Sequence, residues 1–434
     1  MDTTNFFKEQ FDKLQLKNGS SGLEAIRKNA FHRFNEKGIP AARNEEWKYT
    51  RIGSLFNKEY DFPLHTTNIS AEDLNSVRLP GYEAANEIVF VNGIFSQEHS
   101  TIRSADLIIL PLEAAAKGEY REIVETHLGH SANYQKDGIN ALNTAFVHGG
   151  VFVHVKKGKL TEHPVYIYHI SDARSANIFS QPRSLMHLAE NAQIELVETH
   201  ASFGLGESFT NGVVEIVVEK DALLEYYKIQ NDAAHTNQVS TTHIRQIGKS
   251  YTHTVTISLN GNIVRNNLNV VLEAEHCESH LYGLYFLNGN THVDNHTVVD
   301  NVKPNCFSNE LYKGIINDNA TGVFNGKIFV QPQAQKTNAY QSNKNILLSD
   351  GASVNTKPQL EIFADDVKCS HGCTIGRLDE EGLFYLQSRG IQEDVARSLL
   401  VQAFAVDVLE HIKPIAIRNY VDQLISERLD FDIA

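Results

Sequence analysis

Long apolar runs are missing from this sequence. The longest, such as Leu107-Ile108-Ile109-Leu110, fall far short of the roughly 20 residues that a helix needs to cross a bilayer. No extended basic run occurs either. Lys and Arg total 39 against 53 Asp and Glu, a net charge of −14. Generic binding to nucleic acid or to an anionic membrane is therefore not expected, because nothing is there to neutralise phosphates. The opening residues, MDTTNFFKEQFDKL, lack a basic segment followed by an apolar one. No secretory signal is read there, and the chain is expected to be cytoplasmic. Cysteine is scarce: Cys277, Cys306, Cys369 and Cys373 are all there is. In that compartment they are reduced thiols, able to ligate metal rather than form disulfides.

Motifs of the common catalytic engines are missing as well. The phosphate loop G-x-x-x-x-G-K-[ST] does not occur. Gly322-Val323-Phe324-Asn325-Gly326-Lys327-Ile328 has the wrong spacing and lacks the hydroxyl that holds Mg²⁺. There is no G-x-S-x-G elbow and no H-E-x-x-H. Gly204-Leu205-Gly206 lacks the third glycine of a dinucleotide fold. The chain is expected not to be an enzyme.

What is present is a long, moderately apolar chain of 434 residues, 41% hydrophobic, enough for two or three domains or one elongated one. Three zones follow. Residues 1–145 form a helical or mixed N-terminal domain. Phe6-Phe7, Phe11 and Leu14, then Leu23, Ile26, Ala30-Phe31 and Phe34, recur at helical spacing until Gly38-Ile39-Pro40. Residues 146–375 switch to short alternating runs such as Val151-Phe152-Val153-His154-Val155 and Val213-Val214-Glu215-Ile216-Val217-Val218, punctuated by Asn, Gly and Asp.

A turn bearing a small residue, then a strand, occurs at Asn191–Leu196. It recurs at Lys220–Tyr226, near Tyr251–Ile257 and at Glu275–Leu284, an interval of roughly 25–30 residues. Each unit would bury its inward residues only against its neighbours. The fold class is mainly β, a right-handed parallel β-helix core with helical ends; periodicity alone leaves a β-sandwich open. Residues 376–434 form a C-terminal helical domain. Its main helix, carrying Val395, Leu399, Leu400 and Phe404 and reaching Ile412, is apolar on more than one face. Packing between the β-body and a last helix over about 417–429 explains that, and so does a docked partner.

One short run concentrates chemistry: Cys369-Ser370-His371-Gly372-Cys373. On a strand, residues i, i+2 and i+4 share a face, so two thiols would flank an imidazole. These are ligands for iron or zinc. One strand rarely completes a site, and two small buried cysteines with a hydrogen-bonded histidine explain the run equally well. His276 with His280, and His292 with His296, are too far apart on strands to pair at one metal. Asn295-His296-Thr297 near Cys306 is a softer candidate for a polar cluster. Asp365-Asp366 fits a strand-end turn better than acid–base chemistry.

At these residues the chain resembles a known family. Lys357-Pro358-Gln359-Leu360-Glu361-Ile362-Phe363-Ala364-Asp365-Asp366-Val367-Lys368-Cys369-Ser370-His371-Gly372, continuing through Leu383–Ile391, is similar to the hallmark of the SufD type within the SufB/SufD family. So are Lys303–Gly314, Gly326-Lys327-Ile328, Ala334–Thr337, Asn345–Ser349 and Arg43-x-x-Glu46-Trp47-Lys48-Tyr49-Thr50. This resemblance implies a scaffold subunit of the SUF iron–sulfur cluster assembly machinery, with no tightly bound cofactor of its own. It implies pairing with a SufB-like paralogue and docking of a SufC-like ABC ATPase on the C-terminal helices, at Val395, Leu399, Leu400 and Phe404. A transient Fe–S cluster would sit at the paralogue interface near His371, with Cys369 the next participant. Cys373 stands where relatives often have alanine, and Ser342-Asn343-Lys344-Asn345 offers no thiol where SufB-like chains have one. A flavin in the complex and a homodimer in isolation stay open. The rival readings are a self-sufficient metal-binding β-helix protein using Cys369, His371 and Cys373, and a carbohydrate-active β-helix enzyme, which would need clustered carboxylates on one rung.

Overall fold

The computed structural model describes residues 3–17, 22–65 and 67–430. Two helices, α1 (Thr3–Lys17) and α2 (Glu24–Lys37), open the chain. Their Phe7, Phe11, Leu14, Ala30 and Phe34 form an aromatic-rich layer with Trp47, Ile52 and Phe146. After α3 (Ala71–Val77), whose Ser70 and Asp73 form a reciprocal cap, come β1 (Asn86–Val91), β2 (Ile94–Thr101) and β3 (Leu107–Pro111). Four short helices follow: α4 (Leu112–Ala115), α5 (Arg121–His127), α6 (His130–Gln135) and α7 (Gly138–Ala145).

From there the chain coils. The strands are β4 (Val151–Val155), β5 (Val165–Asp172), β6 (Ile178–Ser180), β7 (Arg183–Leu188), β8 (Gln193–Phe203), β9 (Ser208–Val218) and β10 (Leu223–Asn231). They continue with β11 (Asn237–Gln246), β12 (Tyr251–Asn260), β13 (Ile263–Leu272), β14 (Glu278–Leu287) and β15 (His292–Asn301). The last are β16 (Phe307–Ile316), β17 (Thr321–Val330), β18 (Asn338–Leu347), β19 (Ser353–Ile362) and β20 (Lys368–Arg377). Two ten-stranded sheets result. One runs β2-β1-β5-β8-β10-β12-β14-β16-β18-β20; the other runs from β19 back through the odd strands to β9, β7, β4 and β3. Successive strands within a sheet pair in parallel, and only β1–β2 and β3–β4 are antiparallel. This is a parallel β-solenoid of about eight turns, not a sandwich.

The sequence repeat is the length of one turn. Leu223 pairs with Gln193 behind it and with Tyr251 ahead. Five turns pass one corner in left-handed backbone, at Asn191, Asp221, His276, Asn305 and Lys336. Asn and Asp tolerate that conformation best among residues with a side chain. A small buried residue follows each of them: Ala192, Ala222, Cys277, Cys306 and Thr337. Cys277 and Cys306 thus occupy the place of an alanine in the ladder, and their thiols donate to backbone carbonyls, Cys277 to Gly248 at 3.4 Å and Cys306 to Ala274 at 3.3 Å.

Covering explains why the strands do not simply alternate. β9 is buried at every position. Inward residues such as Val214, Ile216 and Val218 fill the lumen core. Outward residues on the same sheet meet the N-terminal helical layer, as at Phe209 and Val239. The other sheet's outer face, with Tyr227, Ile229, Val255, Ile257, Leu284 and Phe286, is covered by the C-terminal helices. These are α8 (Glu380–Ser388), α9 (Glu393–Leu409) and α10 (Ile415–Asp430). A strand covered on both faces reads as a near-continuous apolar run. Among the described residues no helix is long and apolar enough to cross a membrane.

Candidate functional site at the open end

β19 and β20 end the two sheets, with no strand beyond them among the described residues. Both are largely solvent-accessible along their whole length. β20 carries Cys369, His371 and Cys373. It pairs on one side only, with β18, setting Cys369 beside Ala339, His371 beside Gln341 and Cys373 beside Asn343. Those three β18 neighbours are buried and face the lumen. The three candidate residues therefore share the lumen face, as strand alternation requires. Cys369 packs against the lumen core, and burial raises its thiol pKa. His371 and Cys373 stand exposed at the mouth.

The three are brought to one face but not to one point. Cys369 and Cys373, four apart on the strand, lie roughly 13 Å apart along it, and Cys369, His371 and Cys373 are not among the groups of three whose ligand atoms lie within 4.8 Å of one another. Donors sharing one ion at about 2.0–2.3 Å must approach within about 3–4 Å of each other. This strand alone cannot enclose a metal. It presents ligands along an edge.

Beneath the edge lies a polar floor that the sequence did not single out. Gln341 donates to Glu310 at 2.7 Å, and burial pushes Glu310 up to about 7. The second oxygen of Glu310 and the amide oxygen of Gln341 are buried without a hydrogen-bond partner. Alongside, Asn343 donates to Tyr285 Oη and to the Tyr312 carbonyl, each at 3.1 Å, and Asn345 donates to Asn343 at 2.7 Å. Two glycines make room for these rings. A Cβ on Gly283 would stand 2.1 Å from the Tyr312 ring, and one on Gly314 would stand 2.3 Å from Tyr285.

The other candidates separate. Asn295 and Thr297 turn inward and His296 outward, so that run is not one cluster. Asn295 accepts from Asn266 at 3.0 Å, while His296 lies 3.1 Å from Asp294. His276 is an exposed corner residue, and His280 lies 2.7 Å from Glu278. Asp365 and Asp366 form the bend between β19 and β20.

Arg43–Thr50 is a clasp. Trp47 is buried under the Arg265 guanidinium, 3.8 Å from the ring centre. Arg265 bonds Asp294 at 2.8 Å, Thr50 bonds Asp294, and Glu46 pairs with Lys327. Hydrogen bonding to His296, with Lys327, holds Glu46 down at about 2. Glu45 pairs with Lys357. The N-terminal motif thus grips the Gly326-Lys327-Ile328 and Lys357 motifs far along the chain.

On α9 the four candidate docking residues divide. Val395 and Leu399 are 40% and 44% exposed. Phe404 is half-buried against the solenoid, with the Lys313 ammonium 4.4 Å from its ring. Leu400 is half-buried and faces α8 near Gly382. Phe384 and Tyr385 of α8 extend the exposed apolar surface.

A long parallel solenoid, clasped by its N-terminal region and ending in an uncovered strand that carries cysteine and histidine, defines a scaffold architecture. The comparisons with known proteins agree with it. The family model described as SUF system FeS cluster assembly, SufBD core domain, matches residues 169–404, and that of the SufBD protein N-terminal region matches residues 2–167. An iron–sulfur cluster assembly SufBD family protein of Synechocystis is 30% identical over 400 residues, covering 90% of this chain and 87% of the relative. The iron–sulfur cluster assembly protein SufD of Escherichia coli is 29% identical, covering 90% of each chain. A chloroplastic protein of Arabidopsis thaliana, ABCI7, is 28% identical over 92% of this chain and 84% of its own. The chain belongs to the SufBD family of Fe–S cluster assembly proteins, and within it is a homologue of SufD.

Proposed function

We propose that this chain is a non-catalytic, SufD-type scaffold subunit. It pairs through its open end with a SufB-like paralogue and docks a SufC-like ABC ATPase on α8–α9. The nascent Fe–S cluster, which is the cargo, is built between the two solenoids. One observation carries this reading. The ligand-bearing strand β20 is the uncovered last strand of its sheet, and its three candidate donors are too widely spaced to enclose a metal alone. An unpaired strand edge is a template for another strand. A partner strand there would supply the missing donors. The lone phosphate-binding function that the sequence lacks would come from the ATPase, whose docking the exposed Phe384, Tyr385, Val395 and Leu399 support.

Co-expression with a SufC-like ATPase and a SufB-like paralogue tests the proposal. The expected result is a co-purifying three-component complex whose iron content falls at least tenfold with His371→Ala and less with Cys369→Ala. Cys373→Ser should change it least. A complex that forms without this chain and carries the same iron sinks the proposal.

A further inference from the structure

A second cluster of metal-ligating groups lies deep in the lumen, four strands of the same sheet away from β16 and far from β20. His169 on β5 pairs laterally with His200 on β8, and Glu198 precedes His200 by two residues on the same face. All three side chains are more than nine-tenths buried. Among the described residues they are the one group of three His, Cys, Asp or Glu whose ligand atoms all lie within 4.8 Å of one another. Glu198 Oε1 lies 2.9 Å from His169 Nε2 and 3.6 Å from His200 Nε2.

Those separations have a chemical meaning. Two donors each about 2.1 Å from one ion stand about 3.0 Å apart at a right angle and about 3.4 Å apart at a tetrahedral angle. The observed pair brackets that range. A second observation is independent of it. Nε2 of His169 and Nε2 of His200 both face Glu198 Oε1, and no group outside the cluster hydrogen-bonds either of them or His169 Nδ1. Buried polar atoms are nearly always satisfied, so three buried ligand atoms that converge on one point with no partner outside their own group point to a ligand there. The rings cannot turn freely to find other partners. His169 is stacked between Phe90, at 5.0 Å, and His200, at 4.7 Å. Glu198's other oxygen is already taken by Tyr226 and by Lys228, whose Nζ lies 3.6 Å away, so Oε1 is the oxygen left for an ion.

We propose that His169, Glu198 and His200 form a binding site for one divalent transition-metal ion. Two neutral imidazoles and one carboxylate are the donor set that suits Zn²⁺ or Fe²⁺ over Ca²⁺ or Mg²⁺. Three protein donors leave further coordination positions to water or to a transferred ligand. The site does not depend on the partner-shared reading of β20, because it shares no residue with that strand.

The test uses the full chain, stripped with a chelator and titrated with Co²⁺ and then Zn²⁺. One equivalent should bind, with a visible Co²⁺ spectrum of nitrogen and oxygen ligation and no thiolate band. The combined variant Cys369→Ser, His371→Ala and Cys373→Ser should bind as the parent does. His169→Phe keeps the stack on Phe90 while deleting the nitrogens, and should weaken binding at least 100-fold, as should His200→Ala. Zn²⁺ at a hundredfold excess over its Kd should raise the parent's Tm by about 3 °C and leave that of folded His169→Phe unmoved. If the parent binds less than a tenth of an equivalent, or if His169→Phe binds with parental affinity, the assignment is wrong. Loss of binding in the β20 variant would overturn it equally, by moving the metal to the open end.

Discussion

The middle turns of the solenoid and its last turn are built from strands of the same length and pairing, yet they meet their surroundings differently. Around β9 and β11, each residue is covered on one side by the lumen core and on the other by helices. Buried charge there is paired: Glu215 accepts from Arg183 at 2.5 Å and from the backbone of Gly129 and Ser131 at 2.8 and 2.7 Å. At β19 and β20 nearly every side chain is at least partly exposed, and one backbone edge of each strand has no partner strand. The middle turns spend their sequence on stability. The last turn holds its residues available to solvent.

Acid should separate the two regions most sharply. Burial pushes His187 and His243 down to about 3 and His253 to about 4. Each therefore stays neutral in the fold at pH values where the unfolded chain, with its ordinary pKa of about 6.5, takes up a proton. The unfolded state binds more protons, so stability falls as pH drops from about 6.5 towards 4, by about 1.4 kcal/mol per unit for each histidine. Glu310, raised to about 7, has the opposite sign and offsets part of this loss, since its neutral form is favoured in the fold. Denaturant melts at pH 7, 6 and 5 should show a midpoint that falls steadily. A flat profile would mean that these histidines are not buried neutral.

Within the covered turns, Glu215→Ala leaves Arg183 and two backbone N–H groups without their acceptor. We expect a loss of about 3–5 kcal/mol, read in urea melts. A change below about 1 kcal/mol would show that Asn143 and Thr144, which also bind Arg183 at 3.0 Å, suffice to hold it.

Much of this contrast was legible in the sequence. The repeat from Asn191 through Glu275 marked the turns, because a small buried residue recurs at the corner, after a left-handed residue at Asn191, Asp221 and His276. The Cys-x-His-x-Cys spacing correctly placed three side chains on one face. What was hidden depended on distance along the chain. β1, β2 and β3 sit among helical segments yet join the two sheets, since pairing partners such as β5 lie about 80 residues on. Trp47 read as a family marker, and only the fold shows it stacked under Arg265. His169, Glu198 and His200 carry no motif, because they are neighbours through the rise of one turn. Nor does a pattern of residues mark which strand is last: β20 reads like any other strand until its missing neighbour is seen.

Substitutions on the exposed part of α9 should leave the fold nearly untouched. Val395→Glu with Leu399→Glu is a cleaner test of ATPase docking than Phe404 or Leu400. Those two also pack against Lys313 and α8, so a charge there would disturb the fold as well. Stability should change by less than about 1 kcal/mol while co-purification of the ATPase subunit is lost. Retained co-purification would place docking elsewhere.

The smallest effect on stability belongs to the residue with the largest expected effect on function. His371 is exposed, is paired only through its backbone to β18, and contributes no packing to either core cluster. His371→Ala should therefore shift a urea midpoint by no more than the equivalent of about 0.5 kcal/mol, the range of ordinary surface changes. A larger destabilisation would show that the imidazole is tied into the fold, for instance to Gln341 beside it, and the open-end contrast would fail at its central residue. With stability unchanged, any loss of iron from the co-expressed complex is a loss of ligation. That separation of stability from function is what an uncovered strand permits and what the buried turns, where pairs such as Arg183 and Glu215 hold the fold, do not.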